Sequence, residues 1–206
     1  LYDVAEVGDE YFLPMELVDG ENLAGLLART GRLSSEKVRA IGVELCRGLA
    51  AAHEHGILHR DLKPSNVMLD GAGAVRLTDF GVAALEDAAE TAPFAGTPAY
   101  MAPEQLTDGA AASVKTDLYA VGLVLYEALV GHGPPTEAGK AESARDATRI
   151  PPPSLLVGDV DPRLEAIVLA LLARKPDDRP TSAADVVARL AALEATDSAN
   201  AGRRAG

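Results

Sequence analysis

His59-Arg60-Asp61-Leu62-Lys63-Pro64-Ser65-Asn66 sets a carboxylate, an ammonium and a side-chain amide within a few residues of one another. Upstream, Val38, Ile41, Leu45, Leu49 and Ala52 recur at helical spacing on one face. Ser34 or Ser35 can cap that helix, Glu36 complements its amino-terminal dipole, and Gly56 supplies a left-handed end. Downstream, residues 66–69 and 75–78 read as short strands joined in a hairpin across Asp70-Gly71-Ala72-Gly73. The octet therefore occupies a loop between a helix and a hairpin. Such a set suits phosphoryl transfer: a carboxylate can take the proton of an attacking hydroxyl, a lysine can neutralise phosphate charge, and an Asn oxygen can ligate Mg²⁺. Asp79-Phe80-Gly81, just past the second strand, places another carboxylate where a metal could be shared with Asn66. Taken singly the pieces are weak. His59-Arg60-Asp61 alone suits a surface salt bridge at a helix end, and Asp79-Phe80-Gly81 alone suits a turn.

The rest of the chain fits a globular protein. Of its 206 residues, 48% are hydrophobic and 24% charged, which excludes a disordered or collagen-like chain. The formal net charge of −12 argues against a nucleic-acid partner, since phosphate contacts need clustered Lys and Arg. Cys46 stands alone, which excludes a disulfide framework and fits a reducing compartment. No apolar run approaches the roughly 18 residues that span a bilayer. Leu1–Val7 and Tyr11–Val18 read as strands around a turn at Gly8-Asp9-Glu10, ended by Asp19-Gly20. Leu23, Leu26 and Leu27 suggest a short helix closed by Gly31. Residues 79–107 lack periodicity and read as a long ordered loop. Residues 115–130 form the most apolar helix, expected to be buried. Residues 131–153 are Gly/Pro-rich, with at most a short helix over 142–148. Helices follow over 162–173 and 182–194, then a disordered tail over 195–206.

The order of motifs is more telling than any one of them. The octet, then Asp79-Phe80-Gly81, then Gly96-Thr97-Pro98-Ala99-Tyr100-Met101-Ala102-Pro103-Glu104, resembles the eukaryotic-like (bacterial Hanks-type) serine/threonine protein kinase family. Asp117-Leu118-Tyr119-Ala120-Val121-Gly122 matches the start of that family's buried central helix, and Arg179 its late arginine. The resemblance runs from Leu1 to Glu194. It implies an α+β, protein-kinase-like fold made mainly of the helical C-lobe, with a short β-hairpin beside the catalytic loop. Residues 1–18 would be the last two N-lobe strands and the hinge, and 19–194 the C-lobe.

By the same resemblance Asp61 is the catalytic base, Lys63 contacts the transferred phosphoryl group, and Thr97 meets Asp61 near the acceptor hydroxyl. Asn66 and Asp79 hold Mg²⁺. Met15 is the gatekeeper, the Glu16 carbonyl and Val18 N–H bond the adenine of ATP, Asn22 lies near the ribose, and Met68 floors the base. Glu104 and Arg179 form a buried ion pair, and Asp117 braces the catalytic loop. Lys63 and the Gly-Thr-Pro before Tyr100 favour a Ser or Thr acceptor over Tyr. The implied cofactors are ATP and Mg²⁺, and the implied partner is a protein substrate, with no nucleic acid and no membrane segment in this chain.

Departures from the family pattern qualify the expectation. No Gly-rich phosphate loop, strand lysine or partner helix glutamate precedes Leu1, which itself lies inside a strand-like segment. The expectation is thus a kinase fragment, cut within its N-lobe, that binds Mg-ATP weakly and is inactive alone. Arg60 implies a phosphorylated activation loop with Thr91 as acceptor, but Ala84 replaces a second basic residue, so dependence on Thr91 is expected to be weak. Thr136 replaces a family Phe after Pro134-Pro135. With 14 Arg against 5 Lys, the composition suggests a GC-rich bacterial gene. A cytoplasmic setting is expected, with any anchor outside this segment. The alternatives are a catalytically inactive kinase-like binding module, which the presence of Asp61, Asn66 and Asp79 weighs against, and a small-molecule phosphotransferase, which the intact 96–104 segment weighs against.

Overall fold

Ser34 accepts a hydrogen bond from the Lys37 N–H and starts a long helix, α2 (Ser35–Glu54), whose buried face carries Val38, Ile41, Leu45, Cys46 and Leu49. A shorter helix, α1 (Leu23–Thr30), precedes it, capped by the Asn22 side chain. The computed structural model describes residues 5–7, 10–12, 18–71, 73–80, 97–133 and 150–204.

The centre of the molecule is α4 (Val114–Val130), begun by a capping box between Ser113 and Thr116. It is apolar around nearly its whole circumference and buried along nearly its whole length. Each fully buried Leu or Val contributes about 1.5–3 kcal/mol by leaving water, so this helix anchors the hydrophobic core. It packs against α2 and against α5 (Pro162–Leu171), while α6 (Ala183–Arg204) lies across α2 and α5. Gly122 permits the α4–α5 contact: a Cβ there would stand 2.9 Å from the Leu171 Cβ.

Among the described residues two antiparallel sheets complete the α+β architecture. β1 (Ala5–Val7) pairs with β2 (Glu10–Phe12), placing Ala5 opposite Phe12. Among the described residues the expected strands over 1–7 and 11–18 are strand at 5–7 and 11–12 and not at Val18, and Glu10 belongs to a strand rather than to the turn. The second sheet has the order β3 (Gly20–Asn22), β4 (Val67–Asp70), β5 (Val75–Leu77). The β4–β5 hairpin agrees with expectation, with Leu69 opposite Val75.

The sequence does not predict β3, because Gly20-Glu21-Asn22 has no strand propensity. It forms because Gly20 fits against β4, where a Cβ would stand 2.1 Å from the Leu69 carbonyl oxygen. The expected loop over 79–107 also contains regular structure: a 3₁₀ turn at Pro98–Tyr100 and α3 (Pro103–Asp108). Pro103 suits the first helical position, and Gly109 ends the helix in the left-handed conformation. The last helix continues to Arg204, through most of the tail expected to be disordered. Adding residues to an existing helix avoids the nucleation cost, and Ala195, Ala199 and Ala201 favour it. The short helix expected over 142–148 and Thr136 lie outside the described residues, as do Met15, Glu16, Ala84 and Thr91.

Candidate active site

The loop after α2 is held from below by one carboxylate. Asp117, in the first turn of α4 and 2% exposed, accepts hydrogen bonds from the His59 N–H (2.9 Å) and the Arg60 N–H (3.0 Å). The Asp117 carboxylate also accepts from His53 Nε2 at 2.8 Å. Arg60 has φ +68°, a left-handed conformation that costs a non-glycine residue about 1–3 kcal/mol and persists only where its surroundings enforce it. The Asp117 bonds supply that enforcement. Asp117 thus bonds the loop backbone and the His53 side chain together, and His53 is a member that no sequence motif flagged.

On this support Asp61 meets its neighbours. Its Oδ1 accepts from both the Thr97 N–H and the Thr97 hydroxyl, each at 2.9 Å. Its Oδ2 pairs with the Lys63 ammonium, which also donates to Thr97 Oγ1 at 2.9 Å. Asn66 Nδ2 donates to the Asp61 carbonyl at 2.9 Å. Burial alone would raise the Asp61 carboxyl, but the Lys63 ammonium and the Thr97 donors outweigh it and hold it below the usual carboxylate range. The group is an ionised acceptor at neutral pH, fixed in orientation by Lys63, 2 positions on, and by Thr97, 36 positions away in sequence.

With Nδ2 committed to Asp61, Asn66 keeps Oδ1, which the Ser65 hydroxyl approaches at 3.4 Å, as its ligating oxygen. The Asn66 carbonyl accepts the Thr78 N–H at 3.0 Å, which closes the hairpin mouth and brings Asp79, the next residue, to the same end. Asp79 is itself left-handed, with φ +61°, and the Phe80 ring lies 4.7 Å from the buried His59 ring. Burial pushes the His59 imidazole below its ordinary value, against the pull of Asp117. Among the described residues no group of three or more His, Cys, Asp or Glu could hold a metal. An amide oxygen plus one carboxylate suits Mg²⁺ instead, which keeps several waters and takes its remaining ligands from phosphates.

The other expected residues are distributed around this centre. Asn22 and Met68 stand opposite each other in the β3–β4 pair. The Asn22 side-chain oxygen caps α1, accepting from the Gly25 N–H at 2.8 Å, a role its place beside a helical run could have revealed. Val18 is half-buried and outside regular structure. Glu104 and Arg179 form a bidentate pair at 2.7 and 2.7 Å. Tyr100, between Thr97 and Glu104, donates its hydroxyl to Glu127 at 2.7 Å. Burial and that carboxylate push the phenol upward, so it remains a donor.

The chain is similar to known proteins. The family profile described as protein kinase domain matches residues 1–190. Serine/threonine-protein kinase PknL of Mycobacterium tuberculosis is 38% identical over 200 residues, covering 95% of this chain and 49% of that protein. Serine/threonine-protein kinase PknB of Mycolicibacterium smegmatis is 36% identical over 204 residues, covering 92% of this chain and 32% of that protein. Serine/threonine-protein kinase PknH of Mycobacterium bovis is 36% identical over 200 residues, with 95% and 33% covered. The chain belongs to the protein kinase family. It spans about half the length of PknL and about a third of PknB and PknH. Members of this family use ATP and Mg²⁺ to phosphorylate proteins. Among the described residues no helix is long and apolar enough to cross a membrane.

Proposed function

We propose that this chain is the catalytic region of a serine/threonine protein kinase, transferring the γ-phosphoryl group of ATP to a Ser or Thr hydroxyl of a protein. The observation that carries this reading is the convergence of Lys63, Thr97 and Asn66 on the Asp61 carboxylate and its own backbone. Asp61 receives the proton of the attacking hydroxyl. Lys63 holds Asp61 and Thr97 together and offers its ammonium to the transferred group, and its place two residues after Asp61, as in the family's Ser/Thr branch, supports a Ser or Thr acceptor. Thr97 orients the base and borders the acceptor site. Asn66 and Asp79 hold Mg²⁺, which when bound neutralises phosphate charge and orients the leaving group. Met68 floors the adenine, Asn22 borders the ribose, and Glu16 and Val18 form the hinge. Thr91 is the candidate acceptor of a regulatory phosphate that Arg60 would receive, and the activity depends on it only weakly. A cytoplasmic setting, where ATP is supplied, goes with this reading. The names of the relatives support the acceptor class.

The test is transfer from γ-labelled ATP to a Ser/Thr-containing protein by the full-length polypeptide that includes these residues. Asp61→Asn is expected to lower kcat by about 10²–10⁴ while the fold persists. Phosphoamino acid analysis should find phosphoserine or phosphothreonine, and phosphotyrosine alone would contradict the role given to Lys63. Mg-ATP binding without any transfer would favour the second reading, a kinase-like binding module.

A further inference from the structure

One face of the β3–β4–β5 sheet serves the proposed nucleotide site, and the other lines a groove to which that reading gives no task. Successive strand residues face opposite sides of a sheet. The register therefore sets Asn22, Met68 and Arg76 on one face and Glu21, Leu69 and Val75 on the reverse. Between that reverse face and α2 lies an open groove of about 540 Å³. We propose that this groove is a docking site for an extended, cationic and aliphatic segment of the protein substrate, separate from the acceptor site. This rests on the kinase reading above, to which it adds a second contact with the substrate.

The helix wall comes from Lys37, Ala40, Ile41 and Glu44, which at spacings of three and four residues share one side of α2. Ile41 and, from α1, Leu26 form an apolar floor with Leu69 and Val75. Leu69 and Val75 are only half-buried, so part of their apolar surface is left for a ligand to cover. Ala40 is exposed, and Gly71 and Gly73 of the hairpin turn carry no Cβ, so a second backbone can approach closely. An apolar floor with a few polar groups at its edge, in a volume of this size, is the usual make-up of a binding cleft.

Charge selects the occupant. The groove is edged by three carboxylates, Glu21, Glu44 and Asp70, against one ammonium, Lys37. Glu21 pairs with Arg29, Glu44 with Arg47, and Asp70 with Arg76. Those arginines stand outside the lining, with side chains 65%, 60% and 52% exposed. Ion pairs so exposed contribute little, and they yield to a ligand cation. The net charge of −12 adds a field that draws cations and repels the phosphates of nucleic acids and lipids. In an extended segment alternate side chains point the same way, so two aliphatic residues can reach the floor while a neighbouring Lys or Arg meets the carboxylates.

The test uses the full-length polypeptide and a labelled peptide of about ten residues, with two lysines, then two leucines one residue apart, and no hydroxyl side chain. Anisotropy titration should give a Kd on the order of 10–100 µM. Replacing both leucines by serine, or both lysines by glutamate, should weaken binding about tenfold or more. Ala40→Trp places a large ring in the groove from an exposed helix position, and should weaken binding about tenfold or more with an unchanged circular dichroism spectrum. Glu44→Lys should weaken binding about fivefold and Lys37→Glu tighten it about threefold, both effects fading at high salt. Linked to a Ser-containing acceptor, the segment should lower KM about tenfold at constant kcat. Ala40→Trp should abolish that gain and leave kcat/KM for the unlinked acceptor within about twofold of the parent. Binding unaffected by Ala40→Trp, or equal binding of the glutamate peptide, overturns the proposal. So does an absence of binding at about 1 mM peptide, or a self-association of the parent that Ala40→Trp abolishes, which assigns the groove to a second copy. A parent polypeptide with no transferase activity sinks the kinase reading instead, and the titration still decides whether the groove takes the segment.

Discussion

Replacing Arg179 by Ala removes the most heavily satisfied side chain described in the structure. Its side chain is 0% exposed, and every guanidinium N–H has an acceptor. Nε donates to the Ala173 carbonyl at 2.8 Å, while Nη1 donates to Glu104 at 2.7 Å and the Lys115 carbonyl at 2.9 Å. Nη2 donates to Glu104 at 2.7 Å and the Arg174 carbonyl at 3.1 Å. The guanidinium also stacks 4.8 Å from the Tyr119 ring centroid. Truncation leaves three carbonyls short of a donor and a Glu104 side chain, only 13% exposed, without its cation. Breaking one partner of a buried pair costs about 3–5 kcal/mol, and the stranded carbonyls push towards the upper end.

With a urea m-value of about 2–3 kcal/mol/M for a chain of this size, the midpoint should fall by about 1.5–2 M. At about 2–4 °C per kcal/mol, Tm should fall by roughly 10–15 °C. Arg179→Lys should recover only part of this, about half at best, because an ammonium has three donors and no planar fork. The double replacement Glu104→Met/Arg179→Met should be more stable than Arg179→Ala, since no buried charge remains. The assay is urea unfolding followed by far-UV circular dichroism. A midpoint for Arg179→Ala within about 0.3 M of the parent, or a Lys variant equal to the parent, would refute the assignment of the stability to this network.

Three further outcomes follow from the geometry. Gly122→Ala should destabilise the chain by about 1 kcal/mol: a helical Ala gains up to about 1 kcal/mol, but its Cβ meets the Leu171 Cβ at 2.9 Å, and such overpacking costs about 1–3. A rise in Tm for this variant would show that α4 and α5 can separate freely. Burial pushes the Cys46 thiol up to about 12, so a thiol reagent at pH 8 should label it only at the rate of unfolding, and rapid labelling of the native protein would contradict the packing of α2. Asp61 has a folded value depressed below the ordinary carboxylate range despite burial, so it contributes stability above about pH 4 that is lost as pH falls through the lower folded value. Lys63→Met removes the main opposing cation, and burial should then move the Asp61 titration upward. Carboxylate NMR showing no upward movement would count against the Lys63–Asp61 contact.

Much of the fold was legible because its signals are local. Ser34 and Ser113 cap helices whose apolar residues recur at helical spacing, and both helices start within a residue or so of where the sequence predicts. The β4–β5 hairpin follows from its Gly-rich turn. The elements that the sequence hid depend on distant partners. β3 exists only because β4, some 45 residues on, offers an edge that tolerates glycine at close range. α3 is too short to show a period, and it is held by the Arg179–Glu104 pair across 75 residues. α6 outruns its expected end because helix propagation needs no apolar pattern.

The same division separates the chemistry from its support. By itself the sequence determined which groups are available, since Asp61, Lys63, Asn66, Thr97 and Asp79 stand in an order that names the family. Side-chain chemistry and local spacing are properties of the chain, and they survive in a linear reading. Only the tertiary structure decided that Thr97 closes on Asp61, that Asn66 commits its nitrogen to the Asp61 backbone, and that His53 shares Asp117 with the loop. Those bonds join residues up to 64 positions apart, and no local propensity encodes them. They exist because burying α4 against α2 brings Asp117 under the loop, where a buried carboxylate must find donors and the chain from His53 to Arg60 provides them.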